Sequence, residues 1–452
     1  MDRSTGNTHN VSKGQNIPGI ARRRFRAYPE YKNSGVEWLG KIPAHWEARR
    51  LKYLSRIIMG QSPPSKIVNT FGEDLPFLQG NADFGTEHPT ARTFCPYPPK
   101  VAAPEDILIS VRAPVGAINS ADREYGIGRG LCAIRPFNRQ LEHRYCRYLL
   151  QIARSQLDSI ATGSTYDAVS TDAVSCLVLA VPFIEEQQRI SYFLDREMVK
   201  IDALIEKKER LIELLREKRA ALITQAVTRG LDPTVPMKDS GVEWLGEIPA
   251  HWYLRKLKHI CKRVFVGIAE AATFAYVDHG IPMLRSTDVR ANCIRTDDIR
   301  HVDRHFASRL ASKRLRTSDI VTVRTGNAGV SAVVPPKYDG GQCFTLVVSR
   351  PAGGNDSRYF CYWLNTPAGQ QQFAVEGMGT AQINISVPIV QNTIVCVPPQ
   401  EEQQRIADWV EQEVARWDAL MTKIREAITS LREYRTALIS AAVTGKIDVR
   451  EG

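Results

Sequence analysis

The sequence predicts an α+β protein: two mixed α/β globular domains separated by a long antiparallel two-helix coiled coil, arranged as a pseudo-two-fold internal repeat. Three observations predict it. The segment SGVEWLGKIPAHW at Ser34–Trp46 returns almost unchanged as SGVEWLGEIPAHW at Ser240–Trp252. Two long stretches, each opened by EEQQRI, carry apolar residues at heptad spacing with no interior Gly or Pro. Between these matched parts lie two diverged segments in which short strand-like runs alternate with Gly and Pro turns.

The first long stretch runs from Pro182 to Gly230 and has acidic residues Glu185 and Glu186 in its first turn. Proline and acid at the start and glycine at the stop are helix boundary signals. Leu194, Ile201, Lys208, Leu215 and Leu222 recur at a seven-residue step. A second line is expected through Ile190, Leu204 and Leu211, with Ile205, Ile212 and Ile223 beside it. The spacing predicts one helix of roughly 45 residues, about 65–70 Å long. The second stretch, Pro398 to Gly445, places Val410, Trp417, Ile424, Leu431 and Leu438 where the first seam line falls. A lone helix of this length cannot bury its stripe against itself. Matched length, phase and ends make the two stretches partners, and repeats that pack isologously about a perpendicular two-fold lie antiparallel.

The 452 residues are ample for two or three domains. A formal charge of +11 favours an anionic partner, though modestly. Nine scattered cysteines with no CxxC indicate neither a zinc ribbon nor a disulfide framework, and are expected to be reduced thiols. No apolar run approaches the ~20 residues of a membrane span, so no membrane partner and a cytoplasmic location are expected.

In chain order, residues 1–30, which include Arg22, Arg23 and Arg24, are expected to be a disordered basic tail. Residues 31–181 form the first domain, with its clasp at 34–46; 182–230 the central helix; 231–397 the second domain, with its clasp at 240–252; 398–445 the C-terminal helix; and 446–452 a tail. Each clasp carries two Trp and a His, and with no second His or carboxylate at a useful spacing it is expected to pack, not to catalyse. The domain interiors correspond faintly but in order. LPFLQGNAD (Leu75–Asp83) answers IPMLRSTDV (Ile281–Val289), and DILISVRAPVGAI (Asp106–Ile118) answers DIVTVRTGNAGVSAV (Asp319–Val333). AIRPF (Ala133–Phe137) answers VVSRP (Val347–Pro351), and the helical HRYCRYLL (His143–Leu150) answers SRYFCYWL (Ser357–Leu364).

Connectors that stay alike imply a shared frame, and domains that drift apart imply two different ligands of one kind. Over 253–397 there are eighteen Lys and Arg against ten Asp and Glu, and over 47–181 fifteen against thirteen. Phosphates are held by Lys and Arg, and base edges are read by Arg, Asn and Gln. Candidate DNA-binding residues on corresponding loops are Gln79, Asn81, Arg112, Ser164, Thr165 and Tyr166 in the first domain. In the second they are Arg285, Ser286, Arg324, Thr325, Asn327, Thr380 and Gln382.

Signatures of chemistry are missing from the sequence. There is no GxxxxGK[ST] loop and no HExxH, and GIGRG at Gly126–Gly130 is not a dinucleotide fingerprint. The Pro-Pro pairs lack the Asn or Asp and the aromatic of an adenine-methylation motif. No catalytic residue and no metal ligand is therefore assigned, and the chain is expected to be non-catalytic.

The doubled order of clasp, diverged domain and EEQQRI helix ending in AVTRG or AVTGKID resembles the specificity subunit of type I restriction-modification systems. The likeness covers nearly the whole chain after residue 30, and its specific parts are the clasps and helix starts. It implies two target recognition domains, each reading half of a bipartite asymmetric site in double-stranded DNA, with the helix pair fixing the spacer. It implies two methylation subunits and two restriction subunits as partners in a bacterial or archaeal, nucleoid-associated complex. S-adenosylmethionine, ATP and Mg would bind those partners, and no cofactor this chain. Two rival readings are a self-sufficient DNA methyltransferase or nuclease with degenerate motifs, and a coiled-coil protein–protein adapter.

Overall fold

The computed structural model describes residues 25–162, 168–268, 275–295, 297–376 and 384–450. The chain divides into two compact units, residues 1–208 with 426–452 and residues 209–425. Each unit combines a clasp, a globular domain, the N-terminal part of one long helix and the C-terminal part of the other. The first long helix is Ile184–Arg229, 46 residues, and the second Gln400–Val443, 44 residues. Both end where glycine takes the left-handed conformation, Gly230 at φ 81° and Gly445 at φ 69°.

The helix segments lie antiparallel in each unit. In the first, the Tyr145 hydroxyl donates to Ala180 O (2.9 Å) and Val443 O (3.2 Å), while Arg435 Nε reaches Asp202 at 3.1 Å. Numbers thus fall along one helix as they rise along the other. In the second, the Tyr359 hydroxyl donates to Val227 O (2.9 Å), and Arg219 pairs with Asp418. Leu194, Ile201, Val410, Ile424 and Leu438 are buried, and Leu215, Leu222, Trp417 and Leu431 half-buried. The expected second line needs correcting: Ile190 is buried, but Leu204 and Leu211 are 48% and 42% exposed. Met198, Ile205 and Ile212 take that line instead. Counting four residues on from Leu194 or Ile201 gives a contiguous a/d seam, whereas Leu204 and Leu211 lie one residue, about 100°, off it.

The clasps explain EEQQRI. In the first unit Glu186 accepts hydrogen bonds from Trp46 Nε1 (3.2 Å) and Tyr28 Oη (2.8 Å), and its Oε2 lies 2.8 Å from His45 Nε2. In the second, Glu402 accepts from Trp252 Nε1 (3.1 Å) and lies 2.8 Å from His251 Nε2. The next residue serves the domain. Gln187 Oε1 accepts from the Glu142 N–H (2.8 Å) and Gln403 Oε1 from the Asp356 N–H (2.9 Å), each at the entry to a domain helix. Burying Leu39, Ile42 and Trp46 in the first core, and Ile248 and Trp252 in the second, supplies the apolar part of the grip.

The expected tails also need correcting within the described residues. Tyr28 is buried, Asp448 N–H donates to Arg26 O at 2.7 Å, and Ile447 and Val449 join the first core. Tyr28 is drawn in because its ring packs on Trp46 while its hydroxyl finds the Glu186 carboxylate. Residues 1–24 of the expected tail lie outside the described residues.

Both domains build the same main sheet. An antiparallel four-stranded sheet runs Ser55–Met59, Leu131–Pro136, Ile107–Ser110, Ile118–Ser120 in the first domain. In the second it runs Cys261–Val266, Leu346–Pro351, Ile320–Val323, Ser331–Val333. A second four-stranded sheet, mixed, joins Leu75–Leu78 to Tyr125–Ile127 in parallel, and likewise Ile281–Leu284 to Gln342–Cys343. Its fourth strand differs: Val101–Ala102 lies on Tyr125–Ile127 in the first domain and Tyr276–Val277 on Arg300–Val302 in the second. Each domain closes with a strand that pairs back to the residues after the clasp, Val178–Val181 on Glu47–Arg50 and Ile394–Val397 on Tyr253–Lys256. The repeat extends to an ion pair on a buried aspartate. Arg135 grips Asp106 at 2.7 and 2.8 Å, and Arg350 grips Asp319 at 2.8 and 2.7 Å. The residue before each Asp is left-handed, Glu105 at φ 67° and Ser318 at φ 69°.

Candidate nucleic-acid interface

Five chain segments meet on one rim of the first domain. Leu78 O accepts from the Gly128 N–H (2.8 Å), and Gly130 O accepts from the Val111 N–H (3.0 Å). Val111 O in turn accepts from the Val169 N–H (2.8 Å), and Ile127 O accepts from the Gln61 N–H (2.9 Å). These bonds set Gln61, Gln79, Arg112 and Arg129 on neighbouring loops, all four exposed. Arg112 sits in a turn that Ser110 organises: its hydroxyl donates to Pro114 O at 2.7 Å and accepts from the Ala117 N–H at 2.8 Å.

The second domain builds the same rim from the same segments. Leu284 O accepts from the Phe344 N–H (2.8 Å), and Arg324 O accepts from the Ile385 N–H (3.0 Å). Arg324 also donates through Nε to Ile385 O at 3.0 Å and through Nη2 to Asn384 Oδ1 at 3.3 Å. Thr325 and Asn327 are exposed at the tip of the turn.

The structure sorts the candidate residues. Gln79, Arg112, Thr325 and Asn327 are exposed on the two rims, and Asn81, Ser286 and Arg324 are half-buried beside them. Arg285 is engaged within the chain: its Nη2 bonds Asp288 Oδ1 (2.8 Å) and Asp298 O (2.6 Å), and its Nε bonds Asp288 Oδ2 (3.1 Å). A guanidinium fork filled by its own carboxylate is not available to a base edge. Ser164, Thr165, Tyr166, Thr380 and Gln382 lie outside the described residues. Arg129 is a rim residue that motif reading passed over, because GIGRG was weighed only as a dinucleotide fingerprint.

Side chains for covalent or metal chemistry do not gather here. Among the described residues no group of three or more His, Cys, Asp or Glu could hold a metal ion. All nine cysteines are free. Burial pushes Cys132, Cys261 and Cys343 up to about 12, so these thiols stay protonated and unreactive. Exposed guanidinium, amide and hydroxyl groups on loops held by backbone bonds suit hydrogen bonding to a polyanion and its bases.

A family model described as the type I restriction modification DNA specificity domain matches residues 43–214 and 273–430. The chain belongs to that family of specificity subunits. It is 24% identical over 455 residues to the type I restriction enzyme MjaIX specificity subunit of Methanocaldococcus jannaschii, covering 95% of this chain and 99% of that one. Against the EcoKI specificity subunit of Escherichia coli K12 it is 21% identical, covering 90% of each. A third relative, the putative MjaX specificity subunit of M. jannaschii, is 35% identical over 214 residues, 46% of this chain and about half (49%) of that one. Among solved structures, the fold matches a chain from work on complex assembly and conformational transition of the type I R-M system, with a TM-score of 0.67 at 17% identity over 89% of this chain and 98% of that one. The HsdS subunit from Thermoanaerobacter tengcongensis gives 0.52 at 16% identity over 90% and 98%. No helix among the described residues is long and apolar enough to cross a membrane.

Proposed function

We propose that this chain is the DNA-reading subunit of a type I restriction-modification complex. Each domain reads one half of a split, asymmetric duplex site. The observation that carries the proposal is one frame built twice with different side chains on its rim. Clasp, glutamate anchor and Asp–Arg pair repeat with the same residue types, whereas the rim presents Gln79, Arg112 and Arg129 in one domain and Arg324, Thr325 and Asn327 in the other. Two modest readers on one chain gain effective concentration, and with roughly 1–3 kcal/mol lost per mismatched pair they reach useful selectivity together.

Two methylation subunits and two restriction subunits complete this reading, binding S-adenosylmethionine, ATP and Mg themselves. Exposed apolar residues one heptad apart on the first long helix, Tyr192 at 66% and Val199 at 69%, support partner docking there. The test is methylome sequencing of a host carrying the chain with its methylation subunit. A methylated bipartite motif with an unread spacer is expected; a single continuous motif, or none, refutes the proposal.

A further inference from the structure

Gly126, Gly128 and Gly130 alternate around Arg129 on the rim of the first domain, and none of the three has a positive φ. Their role is close packing. A Cβ on Gly126 would lie 2.7 Å from the Phe77 ring and 2.6 Å from Pro98 Cβ. On Gly128 it would lie 3.2 Å from Gln79 Cα, and on Gly130 2.6 Å from Gln79 O. Gly60, on the facing strand end, would place its Cβ 2.1 Å from Gly128 O. Four glycines therefore press this loop flat between Gln61 and Gln79. The side chain standing up from it is Arg129, exposed, while the backbone N–H of Arg129 donates to Ser62 Oγ at 3.4 Å. Among the described residues its guanidinium has no ion-pair partner, unlike that of Arg285, which is filled by Asp288.

The second domain supplies the comparison. Strand register sets Ile127 opposite Cys343, paired with Leu78 and Leu284, and Gly128 opposite Phe344, whose N–H groups donate to Leu78 O and Leu284 O. Between that bond and the matched strand starts Leu131 and Leu346 the first domain has one residue more. Phe344 is half-buried and packs against the cluster that holds Ile268 and Met283. In this stretch the first domain therefore sets an exposed cation between two glycines, where the second has an inward-packed ring followed by Thr345. A free planar fork on a stiff backbone, flanked by exposed amides, matches the acceptor pair on the major-groove edge of guanine. Pre-organised backbone also lowers the ordering cost of such a contact.

We propose that Arg129 is a specificity-determining residue of the first domain, reading a guanine edge in its half-site. This rests on the DNA-reading function above. The test uses the full chain co-expressed with its methylation subunit, comparing wild type, R129A and R129K for binding to a randomised duplex library at two salt concentrations. Both variants are expected to lose roughly tenfold or more in discrimination at one base pair of one half-site. The other half-site stays unchanged. R129K keeps the charge and hence the salt dependence, which separates fork geometry from charge alone. Uniform weakening by R129A across all sequences, with an unchanged motif, assigns Arg129 to a phosphate and overturns the proposal. Unchanged preference, or change confined to the second domain's half-site, also overturns it while leaving the DNA-reading function standing. A wild-type complex with no sequence preference overturns both.

Discussion

Replacing Glu186 by alanine removes one buried carboxylate and strands three groups that point at it. Tyr28 Oη and Trp46 Nε1 donate to Glu186 Oε1 at 2.8 and 3.2 Å, and His45 Nε2 lies 2.8 Å from its Oε2. Tyr28 and Trp46 are buried, so water cannot replace the lost acceptor. A hydrogen bond to a charged group contributes about 1.5–3 kcal/mol, and neighbouring bonds do not add in full. We expect Glu186→Ala to cost the first unit about 3–5 kcal/mol. The same change at Glu402 gives an internal standard. Glu402 has two partners, His251 and Trp252, and its side chain is 17% exposed against 9% for Glu186. Its loss should cost about 2 kcal/mol. Urea unfolding followed by tryptophan fluorescence suits the question, because a Trp touches each glutamate. A cost below about 1 kcal/mol for Glu186→Ala, or a larger cost for Glu402→Ala, refutes the reasoning.

Other expectations follow from particular contacts. Gly445→Ala should destabilise more than Gly230→Ala by ~1 kcal/mol or more: both positions are left-handed, but a Cβ on Gly445 would lie 2.3 Å from Pro43 Cδ, whereas on Gly230 its nearest neighbour is Trp252 at 3.4 Å. Thermal melts of the two variants check this. Asp202→Arg should cost at most ~1 kcal/mol, and adding Arg435→Asp should restore it at low salt but not measurably at 1 M salt, as an exposed pair requires. Burial lowers the pKa of His143 from its ordinary 6.5, against the neighbouring carboxylates Glu142 and Glu105 and with help from Arg147. Its contribution is complete above about pH 6.5 and is lost as pH falls through the folded value, because the unfolded chain binds the proton more readily. Burial works to raise the Glu142 carboxyl, but donors from Ser191, Tyr145 and Arg144 outweigh it, so its loss comes at lower pH than the histidine's. Between pH 7 and 5.5 the urea midpoint should fall, and His143→Gln should flatten that fall. Finally, inserting one heptad into each long helix should change the accepted spacer and leave both half-site sequences alone; altered half-sites in the methylome of such a variant count against a spacing role.

Much of the frame was legible in the residues. Heptad spacing, boundary glycines and the repeated clasp are local or periodic signals, and both long helices form within two residues of the ends they mark. Antiparallel pairing was legible because an apolar stripe needs a partner and the only matched one was internal. The sequence also marked the glutamate of EEQQRI and the histidine and tryptophan of the clasp as repeated, but not as partners. Glu186 meets Trp46 across 140 positions, and no spacing rule reaches that far. The rim was harder still. Gln79 and Arg112 looked like ordinary loop residues, and Arg285 looked free until Asp288 was seen filling its fork. Leu204 and Leu211 show the limit of pattern alone: both are apolar on a helix, yet one residue of phase decides core or solvent. Composition and periodicity determined the repeat, the helices and their pairing, because those depend on neighbours a few residues away. Tertiary structure decided which arginine is spent and which stands free, because that depends on carboxylates and glycines brought together only when the sheets close.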